Sequence, residues 1–125
     1  MKFQKFSLKK RFKSFNYAFN GLKTILKEEH NARIHLIAAI CAITASIIFK
    51  ISTDEWIVII LVIGFVFAME IVNTAIENIA DFLSTDIDER IRKIKDLSAA
   101  ATLVSAIVAL IAGLIIFLPK ILTAI

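Results

Sequence analysis

Apolar residues are spread along this chain in two rhythms. Phe12, Phe15, Phe19, Leu22, Ile25 and Leu26 recur every three or four positions, the period of one helical face. Downstream they run almost unbroken. Residues 34–51 form an apolar stretch of about 18 residues interrupted by His35 and Lys50. A second stretch begins at Trp56, stays clean to Met69, and continues with polar residues mixed in to Leu83. The third, from Leu97 to Leu118, has about 22 residues and no charge. A hydrocarbon core of roughly 30 Å needs about 20 such residues in a helix. The pattern therefore predicts three spans, over about 32–51, 55–83 and 93–119, behind a helix over about 10–28. Lys50 is placed to snorkel, Ser52–Glu55 to turn, and Trp56 to anchor at the interface. Residues 84–95 read as a polar loop, and Pro119 as the stop of the last helix.

Composition removes the soluble alternatives. Of 125 residues, 58% are apolar, against about 45–50% in an ordinary soluble domain. Three Gly and one Pro leave too few turn signals for many short strands. The expected fold is all-α: one integral membrane domain over 1–125. A lone cysteine, Cys41, excludes a disulfide framework and a Cys-rich metal site, and reads as a small buried apolar residue.

The charge is segregated. Eight Lys and Arg and no acid lie between Lys2 and Lys27, interleaved with phenylalanines. A basic, aromatic-rich amphipathic helix lies in the plane of an anionic bilayer surface. A cleavable signal peptide would need a continuous apolar stretch and a small-residue cleavage site, and neither is present. A nucleic-acid arm would not explain the periodic phenylalanines, so no nucleic-acid partner is expected. Arg90, Arg92, Lys93 and Lys95 make the second loop basic, while the first loop and the C-terminus offer Lys50 and Lys120. The positive-inside rule then sets the N-terminus and second loop in the cytoplasm, the side where ATP and Mg²⁺ are available.

The chemistry is concentrated in Glu70-Ile71-Val72-Asn73-Thr74-Ala75-Ile76-Glu77-Asn78-Ile79-Ala80-Asp81. On a helix Glu70, Thr74, Glu77 and Asp81 share one narrow face, with Asn73 beside it. Carboxylates at the membrane boundary are costly unless a divalent cation, basic side chains or protonation compensates them. Mg²⁺ takes one or two protein carboxylates together with phosphate oxygens and water. Glu77 suits that role, as does Glu28 or Glu29, where the surface helix turns into the first span. Glu70, two turns deeper, is placed to act as general base on a lipid hydroxyl. Asp81 and the loop acids Asp86, Asp88 and Glu89 read equally well as a solvated helix end, and His35 and Thr44 as packing or interhelical hydrogen-bonding residues. Neither a Gly-rich phosphate loop nor an HExxH pair occurs, so phosphate would be held by the Lys/Arg cluster, a metal and helix-end amides.

The run from Glu70 to Glu77, then Asp81 and Lys95-Asp96, resembles the signature of the small prokaryotic diacylglycerol kinases, a family that includes undecaprenol kinases. The likeness extends from about Phe15 to Pro119, with Tyr17, Gly21-Leu22, Glu29 and Arg33 also in register. It implies a homotrimer of three-span protomers in a prokaryotic inner membrane, with composite sites between subunits. It implies further that Glu70 is the catalytic base with Asn73 shaping the site, and that Glu29 and Glu77 are the Mg²⁺ ligands. Lys95, Asp96, Tyr17 and Lys10 would then complete the ATP site, and the acceptor would be undecaprenol or diacylglycerol. Residues 32–36, 51–56 and 118–120 are more similar to the undecaprenol kinase branch. The chain departs from the family pattern at Asp86-Ile87-Asp88-Glu89, where members often carry His, and at Ser98-Ala99-Ala100-Ala101, which commonly includes Gly.

Two other classes of function compete. A small ion or proton conductor would use the carboxylates as a relay, but they cluster toward one side of the crossing. A noncatalytic membrane adaptor would use the basic helix and leave Glu70, Asn73 and Glu77 without a purpose.

Overall fold

The computed structural model describes residues 5–84, 86 and 88–125. Lys2 and Phe3 of the basic segment, and Ile87 of the second loop, lie outside the described residues. Four helices follow one another: α1 (Leu8–Glu28), α2 (His30–Ile48), α3 (Thr53–Leu83) and α4 (Glu89–Ala124). At 1.5 Å per residue α2 is about 28 Å long, α3 about 46 Å and α4 about 54 Å. The last three are long and apolar enough to cross a membrane. The chain is a multi-pass membrane protein.

Helix α1 starts at Ser7, whose hydroxyl accepts from the Lys10 N–H. Ile25 is its one buried residue, while Phe12, Phe15 and Phe19 face outward. Glu29 alone separates α1 from α2, in an extended conformation. Arg33 folds back across that break. Its Nε donates to the Leu26 carbonyl at 2.8 Å and its Nη2 to that of Lys27, satisfying the open end of α1.

The buried residues of α2 are Ala32, Ala39 and Ser46, one small residue every seven positions. Small side chains at heptad spacing let helix backbones approach closely. Cys41 lies off that stripe and is exposed, which corrects its expected burial. In a membrane protein the exterior is as apolar as the interior, so an apolar setting does not predict burial.

The first span also ends earlier than 51. After Ile48 the Lys50 N–H bonds to the Ile47 carbonyl and the Ile51 N–H to that of Ser46, with Lys50 at φ 50°. This is the Schellman arrangement that usually employs glycine. Ser52 and Glu55 then close a reciprocal capping box at the start of α3.

Helices α3 and α4 pack most extensively, and α2 meets α3 over fewer positions. Ile51, Ile59 and Ile116 form a core cluster against which Phe49, Trp56, Ile63 and Phe117 pack. Trp56 thus serves this cluster as well as the helix end. Glu55 Oε2 accepts from Lys120 Nζ at 2.6 Å, joining the start of α3 to the end of α4.

Two expected boundaries move. Helix α4 begins at Glu89, well before residue 95, because Asp88 caps it by accepting the Arg90 N–H at 2.8 Å. The Arg90 guanidinium and that N–H hold the Asp88 carboxyl below its ordinary range. Lys95 therefore sits on a helix rather than in a loop, one residue before Asp96 on the same helix. Nor does Pro119 stop the last helix, which continues to Ala124. Proline removes one ladder bond and crowds the preceding turn. Here Lys120 Nζ bonds the Ile116 carbonyl and Glu55, and the Thr123 hydroxyl donates to the Pro119 carbonyl at 2.8 Å, so the final turn is held by side chains.

Candidate functional site

The polar stripe lies in the second half of α3, on the face that runs through the buried positions Val66, Glu70, Thr74 and Ala80. Glu70 is only 3% exposed. Its Oε1 lies 3.2 Å from Nε2 of His35 on α2, the one side-chain hydrogen bond joining those two helices among the described residues. One turn further on, the Thr74 hydroxyl is buried without a hydrogen-bond partner. Asn73 is half-buried, and its Oδ1 accepts from the Ser98 hydroxyl of α4 at 2.6 Å. Beyond these, Asp81 pairs with Lys95 across the α3–α4 seam.

The His35–Glu70 contact sets the register of α2 against α3, which runs back along it. Six residues before His35 and seven after Glu70, at 1.5 Å each, put Glu29 and Glu77 about 9 and 10.5 Å from that contact. The two carboxylates therefore stand at one level of the bundle. Both are half-buried. Glu29 makes no side-chain capping bond although it occupies the N-cap of α2. A cation held with substrate phosphates takes only one or two protein carboxylates, and Glu29 and Glu77, neither with a side-chain hydrogen bond among the described residues, offer that number. No group of three or more His, Cys, Asp or Glu able to hold a metal alone is gathered among the described residues.

The remaining expected residues are not drawn in by a single chain. Lys10 and Tyr17 are exposed on α1, and Tyr17 is about 18 Å from Glu29 along that helix. Asp96 is exposed on α4, lining a shallow hollow with Arg92 and Lys93. One protomer thus assembles Glu70 with His35, Asn73 with Ser98, and Asp81 with Lys95. It leaves Glu29, Glu77, Lys10, Tyr17 and Asp96 facing outward or half-covered.

Sequence reasoning left three participants without their partners. Ser98 enters only as part of a departure from the family pattern, Arg33 only by likeness, and His35 as a packing or interhelical residue with no stated contact. A signal for His35 does exist. It lies six residues after Glu29, and Glu70 lies seven before Glu77, so on antiparallel helices the two offsets coincide.

Below His35 an apolar groove of about 480 Å³ opens between α2, α3 and α4, lined by Ala39, Cys41, Val66, Phe67 and Gly113 among others. His35 is its only lining residue with a basic side chain. The arrangement is an apolar groove lined at one place by His35, the buried carboxylate of Glu70 bonded to that His, and, about two turns away, Glu29 and Glu77 with no side-chain hydrogen bond among the described residues.

Residues 16–117 match the family described as prokaryotic diacylglycerol kinase. The chain is 36% identical over 113 residues to the undecaprenol kinase of Bacillus subtilis, covering 90% of this chain and 92% of that protein. It is 32% identical over 111 residues to the diacylglycerol kinase of Synechocystis, covering 88% of this chain and 63% of that one. With the diacylglycerol kinase of Helicobacter pylori it shares 34% identity over 100 residues, 79% of this chain and 77% of the other.

Proposed function

This chain belongs to the prokaryotic diacylglycerol kinase family and is a lipid kinase, and from that premise we propose that it transfers the γ-phosphoryl group of ATP, with Mg²⁺, to the hydroxyl of a membrane alcohol. Undecaprenol is the preferred acceptor and diacylglycerol the alternative. The observation that carries the reading is Glu70: a carboxylate 3% exposed and hydrogen-bonded to His35, which itself lines an apolar groove between the spans. A lipid lying in that groove brings its hydroxyl to the one buried carboxylate of the described bundle.

In this reading Glu70 accepts the hydroxyl proton, and Asn73, held by Ser98, shapes the wall beside it. Glu29 and Glu77 would hold Mg²⁺, which when bound neutralises charge on the ATP phosphates. Lys95, steadied by Asp81, gives a cation near the transferred group, and Asp96, Tyr17 and Lys10 complete the nucleotide contacts. Phosphoryl transfer depends mainly on positioning and electrostatics, so a small bundle without a nucleotide-binding domain is sufficient.

The assembly is a homotrimer. Its support is the expected site itself: Glu29, Glu77, Lys10, Tyr17 and Asp96 have no side-chain hydrogen bond among the described residues of one protomer. Composite sites between subunits account for that. The protein sits in a prokaryotic inner membrane with the Glu77 level on the cytoplasmic side, as the basic N-terminal helix and second loop require.

The test is phosphate transfer to undecaprenol and to diacylglycerol, measured side by side in mixed micelles with ATP and Mg²⁺. Glu70→Gln is expected to lower turnover by on the order of 10²- to 10⁴-fold while keeping assembly and nucleotide binding. Transfer undiminished in Glu70→Gln would remove the base from the reading. No transfer to either lipid by the assembled wild type would remove the kinase reading itself.

A further inference from the structure

His35 is the only basic side chain between Arg33 and Lys50, in a stretch whose other polar groups bond their own helix. The Thr44 hydroxyl donates to the Ile40 carbonyl and the Ser46 hydroxyl to that of Ala42. His35 alone reaches across to α3. Its side chain is 23% exposed, that of Glu70 4%, and the two polar atoms are 3.2 Å apart.

We propose that His35 is a positioning residue for phosphoryl transfer: its Nε2–H donates to Glu70 Oε1 and so assigns Oε2 to receive the proton of the lipid hydroxyl. The inference rests on Glu70 being the base. A carboxylate removed from water costs several kcal/mol unless donors compensate it, and His35 is the donor that the described residues supply. The terminal torsion of a glutamate is broad and nearly two-fold. Without an anchor the carboxylate plane swings and its two oxygens exchange. A hydrogen bond to Oε1 stops that rotation and keeps the other oxygen facing the acceptor.

The same bond ties the base to the rest of the site. Helix α2 is joined to α1 by Arg33 and carries Glu29 at its start, so the His35 contact sets the depth of Glu70 relative to Glu29. In the transfer, the lipid oxygen bonds to the γ-phosphorus as the bond from that phosphorus to its bridging oxygen breaks. The electron pair leaves with ADP and the hydroxyl proton goes to Glu70 Oε2. His35 keeps its own proton throughout.

The experiment compares the full chain in mixed micelles as wild type, His35→Leu and His35→Gln, with MgATP and whichever of undecaprenol and diacylglycerol the wild type phosphorylates. Glutamine retains an N–H donor at similar reach, and leucine retains bulk alone. We expect His35→Leu to lower kcat by on the order of 10- to 100-fold, with KM for both substrates within about two-fold. His35→Gln should recover most of that loss, and all three proteins should show the same assembly size by light scattering. Wild-type kcat in His35→Leu, a loss confined to KM, or equal impairment in the Gln and Leu variants overturns the proposal. Should His35→Leu fail to assemble, His35→Asn replaces it, its amide being one carbon too short; equal kcat in the Asn and Gln variants then overturns the proposal. A wild type that transfers phosphate to neither lipid overturns the kinase reading, which separates that failure from this one.

Discussion

The two ends of the α3–α4 pair are built on opposite plans. At the Trp56 end polar groups find partners within the chain. Glu55 caps its own helix through Ser52 and bonds Lys120, Lys120 also bonds a carbonyl, and Phe49 meets Phe117 at 6.4 Å over the Ile51, Ile59 and Ile116 cluster. Toward the Glu77 end the chain pairs some polar groups, Asp81 with Lys95 and Asn73 with Ser98, and leaves others open among the described residues. Thr74 is buried without a partner, Glu29 and Glu77 stand unpaired at one level, and α1 turns its phenylalanines outward. Polar groups in hydrocarbon are tolerated when something satisfies them. The first end is satisfied from within and holds the helices together. The second leaves groups unsatisfied, and on the proposed function they are the ones a nucleotide, lipid, metal or second subunit would satisfy.

The contrast can be broken most forcefully at the closed end. Ile116→Ala deletes a nearly buried side chain from the cluster and is expected to cost about 2–4 kcal/mol. Unfolding in denaturant should reveal that loss, while kcat stays at the wild-type value wherever the protein remains folded. A loss of kcat in folded Ile116→Ala would mean that the two ends are not separable. At the open end the sign reverses. Thr74→Val keeps the shape and removes an unpartnered hydroxyl, so it should raise stability by about 1 kcal/mol. A lower midpoint in the same unfolding assay would mean that the assembled enzyme supplies Thr74 with a partner. The smallest effect returns to the closed end. Lys50→Gly relieves a left-handed backbone in the Schellman turn and should add about 0.5 kcal/mol, less than the full left-handed penalty because glycine also gains freedom when unfolded. Unchanged phosphoryl transfer in that variant would sharpen the division between a structural end and a chemical one.

Helix α2 belongs wholly to neither plan. Its heptad of Ala32, Ala39 and Ser46 permits close approach, yet it meets α3 over few positions and shares with it the apolar groove. The contact that fixes its depth is polar, His35 to Glu70. On the proposed reading of Glu70 as the base, one hydrogen bond serves both catalytic geometry and helix registration.

Much of this was legible in the sequence. Helix number and type follow from the unbroken apolar runs, because backbone groups in hydrocarbon must be satisfied within the segment. The grouping of Glu70, Asn73, Thr74, Glu77 and Asp81 on one face follows from helical period alone, and its family from the same residues. What only the tertiary structure decided were the partnerships between helices. His35 with Glu70, Ser98 with Asn73, and Lys95 with Asp81 depend on register and rotation, which local periodicity does not encode. The same holds for the helix ends. Pro119 is a stop by local rules, yet α4 passes through it, and Lys120 beyond it bonds Glu55, 65 positions earlier in the chain. Cys41 is exposed because in a membrane apolar character no longer tells inside from outside. Sequence determines what each helix is and which face carries charge; the fold determines which charges are satisfied and which are left for a ligand, because that depends on distances between segments far apart in the chain.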